Sequence, residues 1–167
     1  MPSRACVVCN PLRSCRTLLP FHSEEQRQFV CFHPIPLRSA GVTTSSSFEL
    51  QEVLGFTIER IDGESVATLT IDTVHLNPHG VVHGAVPFAL MDTAMGSAVM
   101  STIDDGRLCA TIEMQTRFHR PIMAGTLRAT ARVTTAGRRI VHLTAETRDD
   151  DDRLVASATA SFALFEV

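Results

Sequence analysis

HLNPHGVVHGAVPFALMDTAMGSA, residues 75–98, is the stretch whose reading decides the fold. A polar loop with Asn77, Pro78, Gly80, His83 and Gly84 runs directly into a long apolar segment. Gly80 and Gly84 permit tight turns, and Pro87 suits a first helical turn, where a missing N–H does no harm. Leu90, Met91, Ala94, Met95, Ala98 and Val99 recur at spacings of three and four, which predicts a helix over 85–102. The segment is apolar nearly all round, so the helix is expected to be buried. Asp92 is its one charge. A carboxylate buried there must be paired or put to use. Two alternatives compete with a functional acid. A membrane span needs roughly 20 apolar residues, and Asp92, Gly96 and several Ser and Thr interrupt this one. A structural acid would need a buried Arg as partner.

The 167 residues suit one domain with a sizeable core. With 44% hydrophobic and 20% charged residues the composition is globular, and a net charge of −3 gives no pull toward nucleic acid. There is no Trp or Tyr to build a base-stacking platform, although nine Phe remain. Cys, Arg, Asn and Pro interrupt residues 4–16, so no secretory signal is readable; a cytoplasmic location with reduced thiols is expected.

Residues 1–47 read as an irregular N-terminal arm, broken by Pro2, Pro11, Pro20, Pro34 and Pro36. Cys6 and Cys9, with Cys15 and His22, have loose metal-ligand spacing but no second Cys-x-x-Cys, so an arm with free thiols and no bound metal is expected. From Phe48 the pattern becomes regular. Leu54–Ile61 and Val66–Ile71 read as strands joined by a turn at Asp62–Gly63. Beyond the helix, Asp104-Asp105-Gly106 makes a turn and four strands follow. Their apolar positions are Leu108 to Thr116, Leu127 to Val133, Val141 to Ala145, and Leu154 to Leu164. Turns fall at Pro121–Gly125, Ala136–Gly137 and Asp149–Asp152, and the acidic run reads as a solvated hairpin tip. Short connections favour antiparallel neighbours. Each strand has an apolar face that needs a cover, and only the 85–102 helix can supply it. The expected class is α+β, an antiparallel sheet wrapped around one long helix, over residues 48–167.

The run from Phe48 to Phe165 resembles the hotdog-fold thioesterases, especially the PaaI-like acyl-CoA thioesterases of the 4-hydroxybenzoyl-CoA thioesterase superfamily. The matching motif is Asn77-Pro78-x-Gly80-x-x-His83-Gly84, followed by Leu90-x-Asp92-x-Ala94. Thr111, Arg120-Pro121 with Gly125, Gly137-Arg138-Arg139 and Leu154-Val155-Ala156 support it. The departures are Ala85, where the family usually has a second Gly, and Asp152, where a Gly is common. The resemblance implies hydrolysis of an acyl-CoA thioester at composite sites in a homodimer or homotetramer, with Asp92 as the central acid. It implies no cofactor, and no nucleic-acid or membrane partner is expected.

The residues suit that chemistry. Gly84 lies at the helix start, where backbone N–H groups lack intrahelical partners and the macrodipole is positive, so its amide can stabilise an oxyanion. Asp92 can deprotonate water or attack the carbonyl itself. Eight residues separate the two, roughly 12 Å along a helix, which points to a partner copy. Asn77 can orient water or the thioester, or serve only the turn. His83 is read as a brace for the loop more than as a base. Thr111 matches a family position that orients water or the acid, against an ordinary strand role. Gly80 and Ala85 would flank the substrate, and Arg117, His119, Arg120, Arg138 and Arg139 are the available rim for the CoA phosphates. The competing functions are a hotdog hydratase or dehydratase using His83 with Asp92, and a non-catalytic acyl-CoA-binding protein.

Overall fold

The computed structural model describes residues 47–61 and 64–167. The expectations for Cys6, Cys9, Cys15, His22 and the Asp62–Gly63 turn lie outside the described residues.

The elements in chain order are α1 Glu49–Leu54, β1 Thr57–Ile61, β2 Glu64–Thr70, a 3-10 turn Thr73–His75, α2 Ala85–Met100, β3 Arg107–Phe118, β4 Thr126–Ala136, β5 Ile140–Arg148 and β6 Leu154–Glu166. The strands form one antiparallel sheet in the order β1-β2-β4-β5-β6-β3. Its inner face carries Ala67 and Leu69, Leu127, Ala129 and Ala131, Val141, Leu143 and Ala145, and Ala156, Ala158, Ala160 and Phe162. Against it α2 buries Val86, Pro87, Leu90, Met91, Ala94, Met95, Ala98 and Val99. The alanines on β4 and β6 leave room for the helix to approach closely. This is the hotdog arrangement expected from the sequence. No helix among the described residues is long and apolar enough to cross a membrane.

Three local expectations are corrected. The strand expected from Leu54 starts at Thr57, because residues 49–54 form α1. Leu, Glu and Gln favour helix, and Gly55, at φ 70°, ends it by donating its N–H to Gln51 O at 2.8 Å.

Second, β3 and β4 are consecutive yet not neighbours; among the described residues β3 lies at the sheet edge and pairs only with β6. Reaching β4 means crossing three strand spacings, about 14 Å. The 119–125 connection can span about 25 Å at full extension. It starts beside Val155, whose carbonyl accepts His119 N–H, and it passes the 75–84 loop, where Ile122 O accepts Val82 N–H at 2.8 Å.

Third, the apolar face read along β3 is broken by a bulge between Thr111 and Glu113. Before the bulge Cys109 and Thr111 face α2; after it Met114 packs on the core, and Ile112 is 55% exposed. An extra residue in one strand shifts the alternation by one, so a period-2 reading fails at that point.

Candidate functional site

The acid sits in the middle of α2 and meets the edge strand. Thr111 Oγ1 donates to Asp92 Oδ1 at 2.8 Å. One helical turn further, the Cys109 thiol faces Gly96 O at 3.8 Å. No buried Arg pairs with Asp92: its hydrogen-bond partner among the described residues is Thr111. Beside these groups a cavity of about 380 Å³ opens, walled by Phe48, Ile58, Met100 and Phe162 together with Gly96 and Cys109. Burial raises the pKa of the Cys109 thiol, and the Asp92 charge raises it further.

The loop residues gather at the other end of α2. Gly84 precedes the helix at φ −56°, so it is not needed for a left-handed backbone there. It is needed for space: a Cβ would stand 3.2 Å from Phe118 Cζ. The first helical donors are largely spoken for. Ala85 N–H donates to His83 Nδ1 at 3.1 Å, Val86 N–H to His83 O at 2.9 Å, and Phe88 N–H to Gly84 O at 3.3 Å. Pro87 has no N–H to satisfy. The Gly84 N–H has no acceptor among the described residues and remains open to a ligand.

The loop is held from within. Asn77 Oδ1 accepts His79 N–H at 2.9 Å and Val81 N–H at 3.3 Å, while Asn77 N–H donates to Val81 O. Only the side-chain NH₂ of Asn77 is left for other work. Gly80, at φ 74°, closes this turn and requires glycine's freedom.

His75 is a loop-bracing residue that the sequence does not single out. It is buried, its Nδ1 accepts Asp72 N–H at 2.8 Å, and its Nε2 donates to Leu54 O at 2.9 Å. Its carbonyl accepts His83 N–H. One residue, through its ring and its backbone carbonyl, thus ties the end of α1 to the approach to Gly84. Its only sequence signal is a place two residues before Asn77, in a run whose polarity reads simply as loop.

The basic residues do not form one cluster within the chain. Arg117 lies near the end of β3 and donates to Gln115 Oε1; Arg120 follows in the connection. Arg138 and Arg139 lie in the β4–β5 turn, where Arg138 O accepts Arg107 Nη2 at 2.7 Å. Since Arg107 opens β3 and Arg117 nearly closes it, the two groups stand roughly 30 Å apart. A second cleft of about 440 Å³ lies between residues 120–124 and the acidic hairpin. Its acids are already engaged. Asp149 accepts Asp151 N–H, Arg153 N–H and Arg153 Nε–H, and Asp150 accepts Thr126 N–H. Asp149 is therefore not the solvated tip residue expected, its side chain being 5% exposed.

A family model described as the thioesterase superfamily matches residues 79–156, which run from the loop through α2 to β6. A crystal structure of a Ralstonia eutropha protein, related to phenylacetic acid degradation and provisionally named a thioesterase, is 31% identical. The match covers 71% of this chain and 92% of that one, with a TM-score of 0.66. The chain belongs to the thioesterase superfamily. This thioesterase is also similar to the conserved protein PA5202 of Pseudomonas aeruginosa, at 33% identity over 71% of this chain and 95% of that one, with a TM-score of 0.67. ComA2 of Bacillus subtilis, provisionally named an esterase, is 26% identical over 70% of this thioesterase and 94% of its own length. The chemistry of the family is thioester hydrolysis, and the chain is a thioester hydrolase.

Proposed function

We propose that this thioesterase hydrolyses acyl-CoA at sites shared between two copies of the chain. The observation that carries the reading is the separation of an open amide from an oriented acid on one helix. Gly84 and Asp92 lie at the start and the middle of α2, roughly 12 Å apart. A carbonyl cannot touch both in one chain. A second copy, antiparallel, supplies the missing half.

The edge strand β3 is suited to that contact. Among the described residues it pairs on one side only, and Ile112 and Phe118 along it are 55% and 57% exposed. An unpaired edge is a template for another strand. Antiparallel pairing of β3 with its copy brings the Arg117–Arg120 end of one chain toward the Arg107, Arg138 and Arg139 end of the other. The two basic groups then form one rim for the phosphates of CoA. Gly80 and Ala85 of the loop would lie beside the bound thioester.

In the reaction, the thioester carbonyl oxygen accepts the Gly84 N–H of one copy and Asp92 of the other acts at the carbonyl carbon. Asp92 either takes a proton from the attacking water or attacks the carbon itself, giving an anhydride that water opens. Both routes expel the CoA thiolate and consume one water. Thr111 holds the carboxylate in place. Asn77 keeps the loop closed and offers its NH₂ to the substrate. His83 braces its own turn, and with Nδ1 accepting Ala85 N–H its ring is poorly placed to serve as the base a hydratase needs.

Thiol release across a panel of acyl-CoA thioesters tests the activity, and the absence of release on every member overturns it. Mass in solution tests the assembly, and a monomer at micromolar concentration overturns the shared site.

A further inference from the structure

Helix α2 and strand β3 meet in two rungs, Asp92 with Thr111 and Gly96 with Cys109. The steps match because one helical turn rises about 5.4 Å and two strand residues span about 6.6 Å. Continuing along the helix, Met100 follows Gly96 by four residues and also lines the cavity. The cavity therefore leads away from the acid, past Gly96, toward Met100. Phe162, Phe48 and Ile58 supply apolar wall, and among the described lining residues the only formal charge is Asp92.

Gly96 is the feature that holds this passage open. Glycine within a helix is less favourable than alanine. Neither a left-handed backbone nor a clash accounts for it here. Among the described residues a Cβ at position 96 would meet only Phe162 Cε1, at an ordinary 3.7 Å. What an added side chain would do is fill the cavity one turn beyond the acid.

We propose that Gly96 is a specificity-determining residue, whose missing side chain admits an uncharged apolar acyl chain running from Asp92 past Cys109 toward Met100. The proposal rests on Asp92 being the reacting acid. It does not rest on the thiol being CoA.

The test compares wild type, Gly96→Ala and Gly96→Leu on acetyl and octanoyl thioesters, each made with CoA and with N-acetylcysteamine. The expected result is a fall of at least about tenfold in the octanoyl-to-acetyl ratio of kcat/KM for Gly96→Ala. Gly96→Leu should lower the ratio further, and the melting temperature of Gly96→Ala should not fall. An unchanged ratio in Gly96→Ala, or an equal loss on both acyl groups, overturns the proposal. Turnover of the N-acetylcysteamine series alone overturns the CoA reading and leaves the Gly96 ratio to be judged on that series. Failure of the wild type on all four substrates overturns both.

Discussion

The Thr111 hydroxyl donates to the Asp92 carboxylate at 2.8 Å, from an edge strand to the middle of the central helix. The bulge just after Thr111 lets both halves of β3 face the helix. It puts Thr111 on the helix side of β3 and Met114 on the same side three residues later. Among the described residues the acid is thereby oriented by a neutral donor and not neutralised by a cation.

Two substitutions test that orientation. Asp92→Asn keeps shape and removes the charge, and thioesterase turnover should fall by about 10²-fold or more, with substrate binding retained. Thr111→Val removes one hydrogen bond to a charged group, worth about 1.5 kcal/mol, and should slow turnover by about tenfold. Thr111→Ser should recover most of that loss. Steady-state kinetics on one good substrate decides both. Full turnover in Asp92→Asn would make the acid structural.

Gly84 and Phe118 form a second testable pair. A methyl at position 84 would stand 3.2 Å from the Phe118 ring, so either ring or loop must shift by a few tenths of an ångström. Gly84→Ala should lower kcat by about tenfold while KM changes little, since a displaced amide is felt most in the transition state. Phe118→Leu on top of Gly84→Ala removes the crowding and should restore part of kcat. If the double variant is no better than Gly84→Ala, the ring is not what Gly84 accommodates.

Much of this was legible in the sequence. The spacing from Leu90 to Val99 locates α2, and its one acid, Asp92, marks the candidate site, because helical periodicity and an isolated charge are local signals. Sheet order was not local. Nothing in residues 119–125 says that the chain passes two strands before pairing, so from sequence β3 reads as a neighbour of β4. The bulge was hidden for a different reason. Ile112 is apolar and falls in phase with Leu108 and Ala110, so the pattern stayed regular where the backbone did not. The arginines were grouped by residue type, and only the fold places Arg107 and Arg138 at one end of β3 and Arg117 at the other. His75 carries no local signal, because in a sequence a buried histidine with both ring nitrogens bonded looks like any loop histidine.

Cys109 offers a chemical report on the same site. Burial and then the Asp92 charge raise its pKa, so the reactive thiolate is scarce at neutral pH. Removing the charge with Asp92→Asn removes one of the two raising causes. The rate of Cys109 alkylation by iodoacetamide at pH 7.5 should therefore increase in Asp92→Asn. Peptide mapping by mass spectrometry separates Cys109 from the other four cysteines. An unchanged or slower rate would mean that the carboxylate does not bear on the thiol.

The acidic hairpin makes the last prediction, one of stability against pH. Burial of Asp149 works to raise its pKa. The Arg153 N–H, side chain and charge, together with Asp151 N–H, outweigh it and hold the carboxyl below the usual 3.8. A carboxyl whose folded pKa lies below its unfolded value binds fewer protons in the folded state. Its contribution is complete above the unfolded value and is lost as pH falls through the folded one. Asp149→Asn keeps the shape but weakens the acceptor for two backbone amides and for Arg153. Its melting temperature should therefore lie below wild type at pH 6 to 8, and the gap should close as the pH drops below about 4. Thermal melts of the two proteins across that range check it. A gap that stays constant down to acid pH would mean that shape alone, not the ionised carboxylate, holds the β5–β6 turn.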